Sequence, residues 1–313
     1  MADLLSILPQ QLVFGITLGM VYGLIALGYT MVYGVLFMIN FAHGDVFMIG
    51  AYMGWAVLVA VIDAKVMPIN PLLVVPLMML PAMLFAGVIG LGLERLAYRP
   101  LYLRGATRLG PLISAIGASI FLQNSVMLTE GARMKVLATY RVFPRDWRFD
   151  ILGVNVSVLV LVIAGIAGIM MWGLNALVQR TTLGRSMRAV AEDREIAAVM
   201  GVNVWGVVAT TFFVGSALGG AAGVLVGLYY TQIDFFMGYS AGLKAFTAAV
   251  LGGIGNIRGA MLGGLILGIV ESLASTFINP AFKDAISFGV LILVLVFRPG
   301  GILGETLPDW KRV

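Results

Sequence analysis

Apolar residues fill the chain in long runs, parted by short polar interruptions. Runs of about 18 residues or more are long enough to cross a bilayer as helices. They fall near 12–37, 46–62, 72–96, 110–129, 152–178, 205–230, 260–278 and 285–297. The stretch 241–256 is apolar but shorter, with Lys244 and Arg258 at its flanks, and reads as either a short span or a re-entrant half-helix. The pattern predicts an all-α polytopic membrane protein with eight or nine spans, built as a single domain over 1–313.

Composition agrees with the pattern. Of 313 residues, 60% are hydrophobic and 11% charged, against about 25% charged in ordinary soluble domains. No polar stretch is long enough to bury a core of its own. The first apolar run follows Asp3 with no basic n-region and is too long for an h-region, so no cleavable signal is expected. Cysteine is absent and His43 is the single histidine, which excludes thiolate metal sites, disulfides and a histidine-rich metal centre. The net charge of +5 speaks to membrane topology before nucleic acid.

Charge concentrates in one place. Arg180, Arg185, Arg188, Glu192, Asp193, Arg194 and Glu195 crowd the segment 180–204. An ion at mid-bilayer costs roughly 3 kcal/mol on insertion scales, so this segment sits in water. Ala189, Ala191, Ala197, Ala198 and Met200 favour helix, and Gly201 is a good stop. One or two short helices are expected, tethered at both ends to spans. By composition alone the segment is an ordinary solvated loop or a docking device for a soluble partner.

Basic residues set the sidedness. The 95–108 loop carries Arg95, Arg99, Arg104 and Arg108, and 131–150 carries Arg133, Lys135, Arg141, Arg145 and Arg148. One span separates these loops, whereas two separate 95–108 from 180–204. The positive-inside rule then places 95–108 and 180–204 in the cytoplasm and 131–150 outside. The N-terminus lies outside. Arg298, Lys311 and Arg312 suggest an inside C-terminus, which needs nine crossings.

Four further features carry candidate chemistry. Asn40, His43, Gly44 and Asp45 interrupt the apolar pattern between the first two spans, as a plain turn or as a discontinuous helix lining a cavity. His43 alone reads more readily as an exposed turn residue than as a proton relay. Gly215, Gly219, Gly223 and Gly227 recur every fourth residue, so another helix can approach backbone to backbone; packing within the chain is the favoured reading over a subunit contact. Glu94 and Arg95 lie at a span end, where both can snorkel to the interface. Glu271 sits well inside a span, free to pair with a base, stay protonated or face a polar pathway. Stretches 12–45 and 210–245 each join a glycine-rich helix to a polar break, which hints at a duplication.

No Gly-x-x-x-x-Gly-Lys-Ser/Thr loop occurs, so an ATP-driven function needs a separate ATPase chain. A hydrolase has no convergent nucleophile to build on. A stand-alone channel or secondary transporter wants coupling charges inside the spans, and few exist.

Glu195, Ala197, Ala198 and Gly201 resemble the Glu-Ala-Ala-x-x-x-Gly coupling loop of ABC importer permeases, with Ile196 where that pattern has its first Ala. Over nearly its whole length the chain resembles LivH-type permeases of high-affinity branched-chain amino acid importers. The carrying stretches are 15–52, ERLAYRPL (94–101), LISAIGASIFLQN (112–124), AEDREIAAVMGVN (191–203), 242–272 and PGGILG (299–304). The resemblance implies a subunit of the bacterial inner membrane, partnered by a second, LivM-type permease, two cytoplasmic ATPases and a periplasmic binding protein. ATP and Mg are then expected on the ATPases and no cofactor on this chain. Gly184, Arg185, Arg188, Glu192, Asp193, Glu195, Ala197, Ala198 and Gly201 are implied to couple the spans to an ATPase. Asn40, His43, Asp45 and Glu271 are pathway candidates. Branched-chain amino acids are the implied substrates; urea, short amides and other amino acids belong to similar importers.

Overall fold

The computed structural model describes residues 2–64, 70–107, 109–144, 146–151 and 154–304. Arg108, Arg145, Lys311 and Arg312 lie outside the described residues. The chain is helical almost throughout: α1 (Ala2–Leu36), α2 (His43–Asp63), α3 (Pro71–Leu93), a π-helical turn (Glu94–Tyr98), α4 (Arg99–Leu103) and α5 (Leu109–Glu130). Short strands β1 (Lys135–Val136), β2 (Arg148–Ile151) and β3 (Val154–Ser157) follow, then α6 (Val158–Arg180), α7 (Thr182–Glu192), α8 (Arg194–Val199) and α9 (Val204–Tyr230). Strand β4 (Gln232–Ile233) precedes α10 (Met237–Gly252), α11 (Ile257–Phe277) and α12 (Lys283–Phe297). Among the described residues, eight helices are long and apolar enough to cross a membrane.

Helix contacts fix which ends share a face. On one face, Arg194 at the start of α8 reaches the end of α1, Tyr102 of α4 reaches it too, and Gly255 lies by Tyr33. On the other, β1 pairs antiparallel with β4, and β2 with β3 in register Phe149↔Val156. Val154, Val156 and Val160 there pack against Val13 and Phe14 near the start of α1. Loops 95–108 and 180–204 therefore share a face, and 131–157 lies opposite, as the basic-residue argument expects. The 16-residue α10 carries the chain from the strand face to the α8 face. It is shorter than a typical span and still makes a ninth traverse.

Glycine lets the inner helices touch. α1 and α11 run antiparallel along Gly15, Gly19 and Gly23 on one side and Gly264 and Gly268 on the other. A Cβ on Gly19 would lie 2.7 Å from the Leu265 Cα. The i, i+4 ladder of α9 does not stay on one neighbour, because each step drifts about 40° around the helix. Gly215 faces Gly28 of α1, Gly219 faces His43 and Gly223 faces Phe47 of α2, and Gly227 faces Ile233 and Leu137. All of these contacts are within the chain. A methyl on Gly223 would overlap the Phe47 carbonyl, whereas one on Gly215 would come no closer than 3.4 Å to the Gly28 oxygen. Gly223→Ala should therefore cost ~1–3 kcal/mol of stability, as overpacking does, and Gly215→Ala should be tolerated. Thermal unfolding in detergent separates the two variants; equal losses would contradict this packing.

The two glycine-rich halves repeat. α1 leads through a break to α2, and α9 through a break to α10. The third helix of each set packs on the first of the other, α11 on α1 and α3 on α9. Gly44 at the start of α2 meets Gly238 at the start of α10. α1 and α9 point in opposite directions, so the halves are inverted. In transporters such discontinuous helices at a repeat interface flank the site of passage.

Candidate functional site

The charged segment forms a helix, a one-residue break and a second helix, each capped by its own sequence. The Thr181 hydroxyl accepts from the Gly184 N–H at 3.2 Å, Asp193 from the Ile196 N–H at 2.9 Å, and Asn203 from the Gly206 N–H at 2.9 Å. These are N-cap bonds, satisfying amides that have no partner within the helix. Gly201 closes α8 with φ +85°, a conformation that costs glycine little and other residues more.

One side of the segment is anchored. Met187, Val190 and Ala197 are buried, Gly184 is pressed against the Val178 carbonyl, and Arg188 donates to that carbonyl. The other side is open. Arg185, Glu192, Asp193, Glu195 and Ala198 are exposed, and the tip presents Ile196, Val199 and Met200 at 64%, 87% and 78% exposure. An apolar tip ringed by charge, held rigidly on two caps, has the make-up of a docking surface.

The polar break is buried, which corrects the reading of His43 as an exposed turn residue. Asn40, His43 and Asp45 are each 1–2% exposed. His43 is wedged against Gly28 and Gly219, with the Tyr29 ring 4.8 Å away; glycine on both neighbouring helices makes the room for its ring. The Tyr98 hydroxyl donates to Asn40 Oδ1 at 2.7 Å, and the Ser119 hydroxyl bonds Asp45. Among the described residues, Asn40 Nδ2, Asp45 Oδ1 and both His43 ring nitrogens have no partner in hydrogen-bond geometry. Their side chains turn to different neighbours, Asn40 to Tyr98, His43 to Gly28 and Gly219, and Asp45 to Ser119 and Gly238 at the start of α10.

Glu271 lies apart from them. Its Oε1 is 2.7 Å from Lys244 Nζ and accepts from the Tyr22 hydroxyl at 3.2 Å, while Oε2 accepts from Ser287 at 3.3 Å. Lys244 also meets Asp284 at 2.7 Å. Among the alternatives open for Glu271, the structure selects pairing with a base. Lys244, read from sequence as flanking a short span, is instead buried inside α10. Beside this network lies a cavity of about 190 Å³, lined by Tyr22, Tyr230, Asp234, Ser240, Lys244 and Lys283 among others.

Glu94 also departs from expectation. It does not snorkel: it is fully buried and gripped by Arg99 at 2.8 and 3.1 Å. The π-helical turn at Glu94–Tyr98 turns it inward. Sequence reasoning missed Arg99, Tyr98, Tyr102 and Arg194 as contact residues; an acid with a base five positions on was the signal available for the first.

Eight long apolar helices among the described residues, a buried polar break between inverted halves and a capped, charged segment outside them define a polytopic membrane protein of the permease type. The family model for the branched-chain amino acid transport system permease component matches residues 11–295, and the chain belongs to that family. It is 48% identical over 308 residues, 97% of each chain, to the high-affinity branched-chain amino acid transport system permease protein BraD of Pseudomonas aeruginosa. It is 46% identical, again over 97% of each, to the permease protein LivH of Escherichia coli K12. LivM of the same bacterium is 27% identical over 135 residues, 42% of this chain and 31% of that one. No solved structure matches the chain.

Proposed function

We propose that this chain is the permease subunit of an ATP-driven importer that moves leucine, isoleucine and valine across the bacterial inner membrane. The observation that carries this reading is the α7–α8 segment: rigid, exposed and apolar at its tip, in a chain similar end to end to BraD and LivH. The α8 face is the cytoplasmic one and the strand face the periplasmic one. α7 and α8 dock on one of two ATPases, whose bound ATP and Mg supply the driving energy. The partial similarity to LivM supports a homologous second permease, and a periplasmic binding protein delivers substrate to the strand face.

The mechanism is alternating access. Inverted halves that meet at Gly44 and Gly238 can exchange an outward-open for an inward-open arrangement about a fixed central region. A branched-chain side chain needs an apolar passage with few polar contacts, and the polar break at Asn40, His43 and Asp45 supplies those few.

Uptake of radiolabelled substrates tests the reading. Cells expressing the chain with its genomic neighbours should accumulate leucine, isoleucine and valine, and lose this when the chain is deleted. Accumulation of urea or a short amide instead would overturn the substrate and leave the architecture. ATP-independent accumulation by the chain alone would overturn both.

A further inference from the structure

The end of α1 is held in an unusual way. The last carbonyls of a helix lack partners within it, and a glycine-based cap commonly meets this need. Here Phe37 follows α1 in the left-handed region, φ +54°, where bulky residues seldom sit. The carbonyls before it are satisfied from far away in sequence. Arg194 Nη2 donates to the Val35 oxygen at 2.7 Å, and the Tyr102 hydroxyl donates to the Leu36 oxygen at 3.0 Å.

These two donors also touch each other, since the Arg194 guanidinium lies 5.3 Å from the centre of the Tyr102 ring. Tyr102 stands four residues after Tyr98, the last residue of the π-helical turn. Tyr98 in turn bonds Asn40 at 2.7 Å, three residues beyond Phe37. The break at 37–42 is thus gripped at its start by Arg194 and Tyr102 and at its middle by Tyr98. Arg99, between the tyrosines, fixes this arm to α9, lying 5.3 Å from the Trp205 ring centre while paired with Glu94. A π turn inside a helix is a frequent companion of function.

We infer that Arg194 is a positioning residue that ties movement of α7–α8 to the hinge at Phe37, with Tyr102 and Tyr98 carrying it to Asn40. The inference rests on the importer reading, because an ATPase docked on α7–α8 is what moves them. Arg194 is the first residue of α8 and belongs both to the docking segment and to the cap of α1. A displacement of α8 cannot leave the Val35 carbonyl where it is without breaking the bond from Arg194, and Tyr102, which lies against Arg194, holds the Leu36 carbonyl beside it. The break then shifts as a unit, and with it the start of α2, where His43 and Asp45 sit.

The chain contains no cysteine, so one introduced at Ile39, a partly buried neighbour of Asn40, is a clean reporter. The whole complex is reconstituted in vesicles, and thiol labelling of this chain is followed by mass with and without ATP and vanadate. With Arg194 present, ATP should change the labelling rate about fivefold or more, the size of a typical coupling. Arg194→Met should erase the ATP response, and Tyr102→Phe, which lies outside the docking segment and loses the bond to Leu36, should reduce it while basal ATP hydrolysis persists. Arg194→Lys, which keeps a donor for Val35, should retain part of it. Tyr98→Phe loses one hydrogen bond and should also flatten the response; it decides the matter if Arg194→Met fails to assemble. An ATP response as large in Arg194→Met and Tyr98→Phe as in the parent would overturn the relay and leave the importer reading standing. No ATP response in the parent itself, although the complex hydrolyses ATP, would likewise overturn the relay and leave the importer reading standing, whereas a complex that hydrolyses no ATP would overturn the importer reading.

Discussion

Glu195→Arg and Gly201→Trp should each cut substrate uptake about tenfold or more while the chain remains in the membrane at its normal level. Glu195 sits in the first turn of α8, where a carboxylate suits the helix dipole, and it is exposed beside Ile196 and Val199. An arginine there reverses the charge of the docking tip without touching the anchored side. Gly201 acts differently. Its φ of +85° lets the chain turn back so that its own N–H and that of Val202 reach the Ala198 and Ala197 carbonyls at 3.0 Å. A tryptophan strains that turn and places a bulky ring beside Met200. Loss of a central docking residue commonly costs ~2 kcal/mol or more of binding. Uptake normalised to the amount of inserted chain checks this, and wild-type uptake in both variants would contradict the coupling assignment.

Breaking the Lys244–Glu271 pair should be the most damaging change to stability. The two side chains are 6% and 3% exposed. Glu271→Leu strips Lys244 of its buried partner, leaving Asp284, which is 55% exposed. Among the described residues, Lys244→Met leaves Glu271 the hydroxyls of Tyr22 and Ser287. Removing one partner of a buried pair typically costs ~3–5 kcal/mol, because the other charge stays behind, whereas replacing both by apolar residues is often neutral. Each single variant should therefore unfold at lower temperature in detergent than the double variant Lys244→Met/Glu271→Leu. Losses that simply add in the double variant would contradict a coupled pair.

What was legible in the sequence was what local chemistry decides. Apolar runs located the long helices, because a bilayer demands an unbroken apolar stretch. The charge at 180–204 located the segment outside them and Gly201 marked its stop, whereas the caps at Thr181, Asp193 and Asn203 emerge only from the bonds they make. The basic loops gave the sidedness of 95–108 against 131–150. What was hidden depends on partners far along the chain. Glu271 meets Lys244 and Tyr22 across 27 and 249 positions, and no pattern near Glu271 announces either. His43 looks like a turn residue until Gly28 and Gly219 are seen to make room for its ring. Glu94 looks like an interfacial acid because nothing in ERLAYRPL foretells the π turn that buries it. The short α10 stayed ambiguous because length alone does not separate a buried traverse from a re-entrant segment.

ATP hydrolysis by the tagged chain, purified with its genomic neighbours and placed in lipid, tests the importer reading at its centre. A second permease and two ATPases should be recovered with the chain, and a leucine-loaded binding protein should stimulate hydrolysis above the rate with the empty protein. A chain that purifies without ATPases and moves solute in the absence of ATP would contradict the reading.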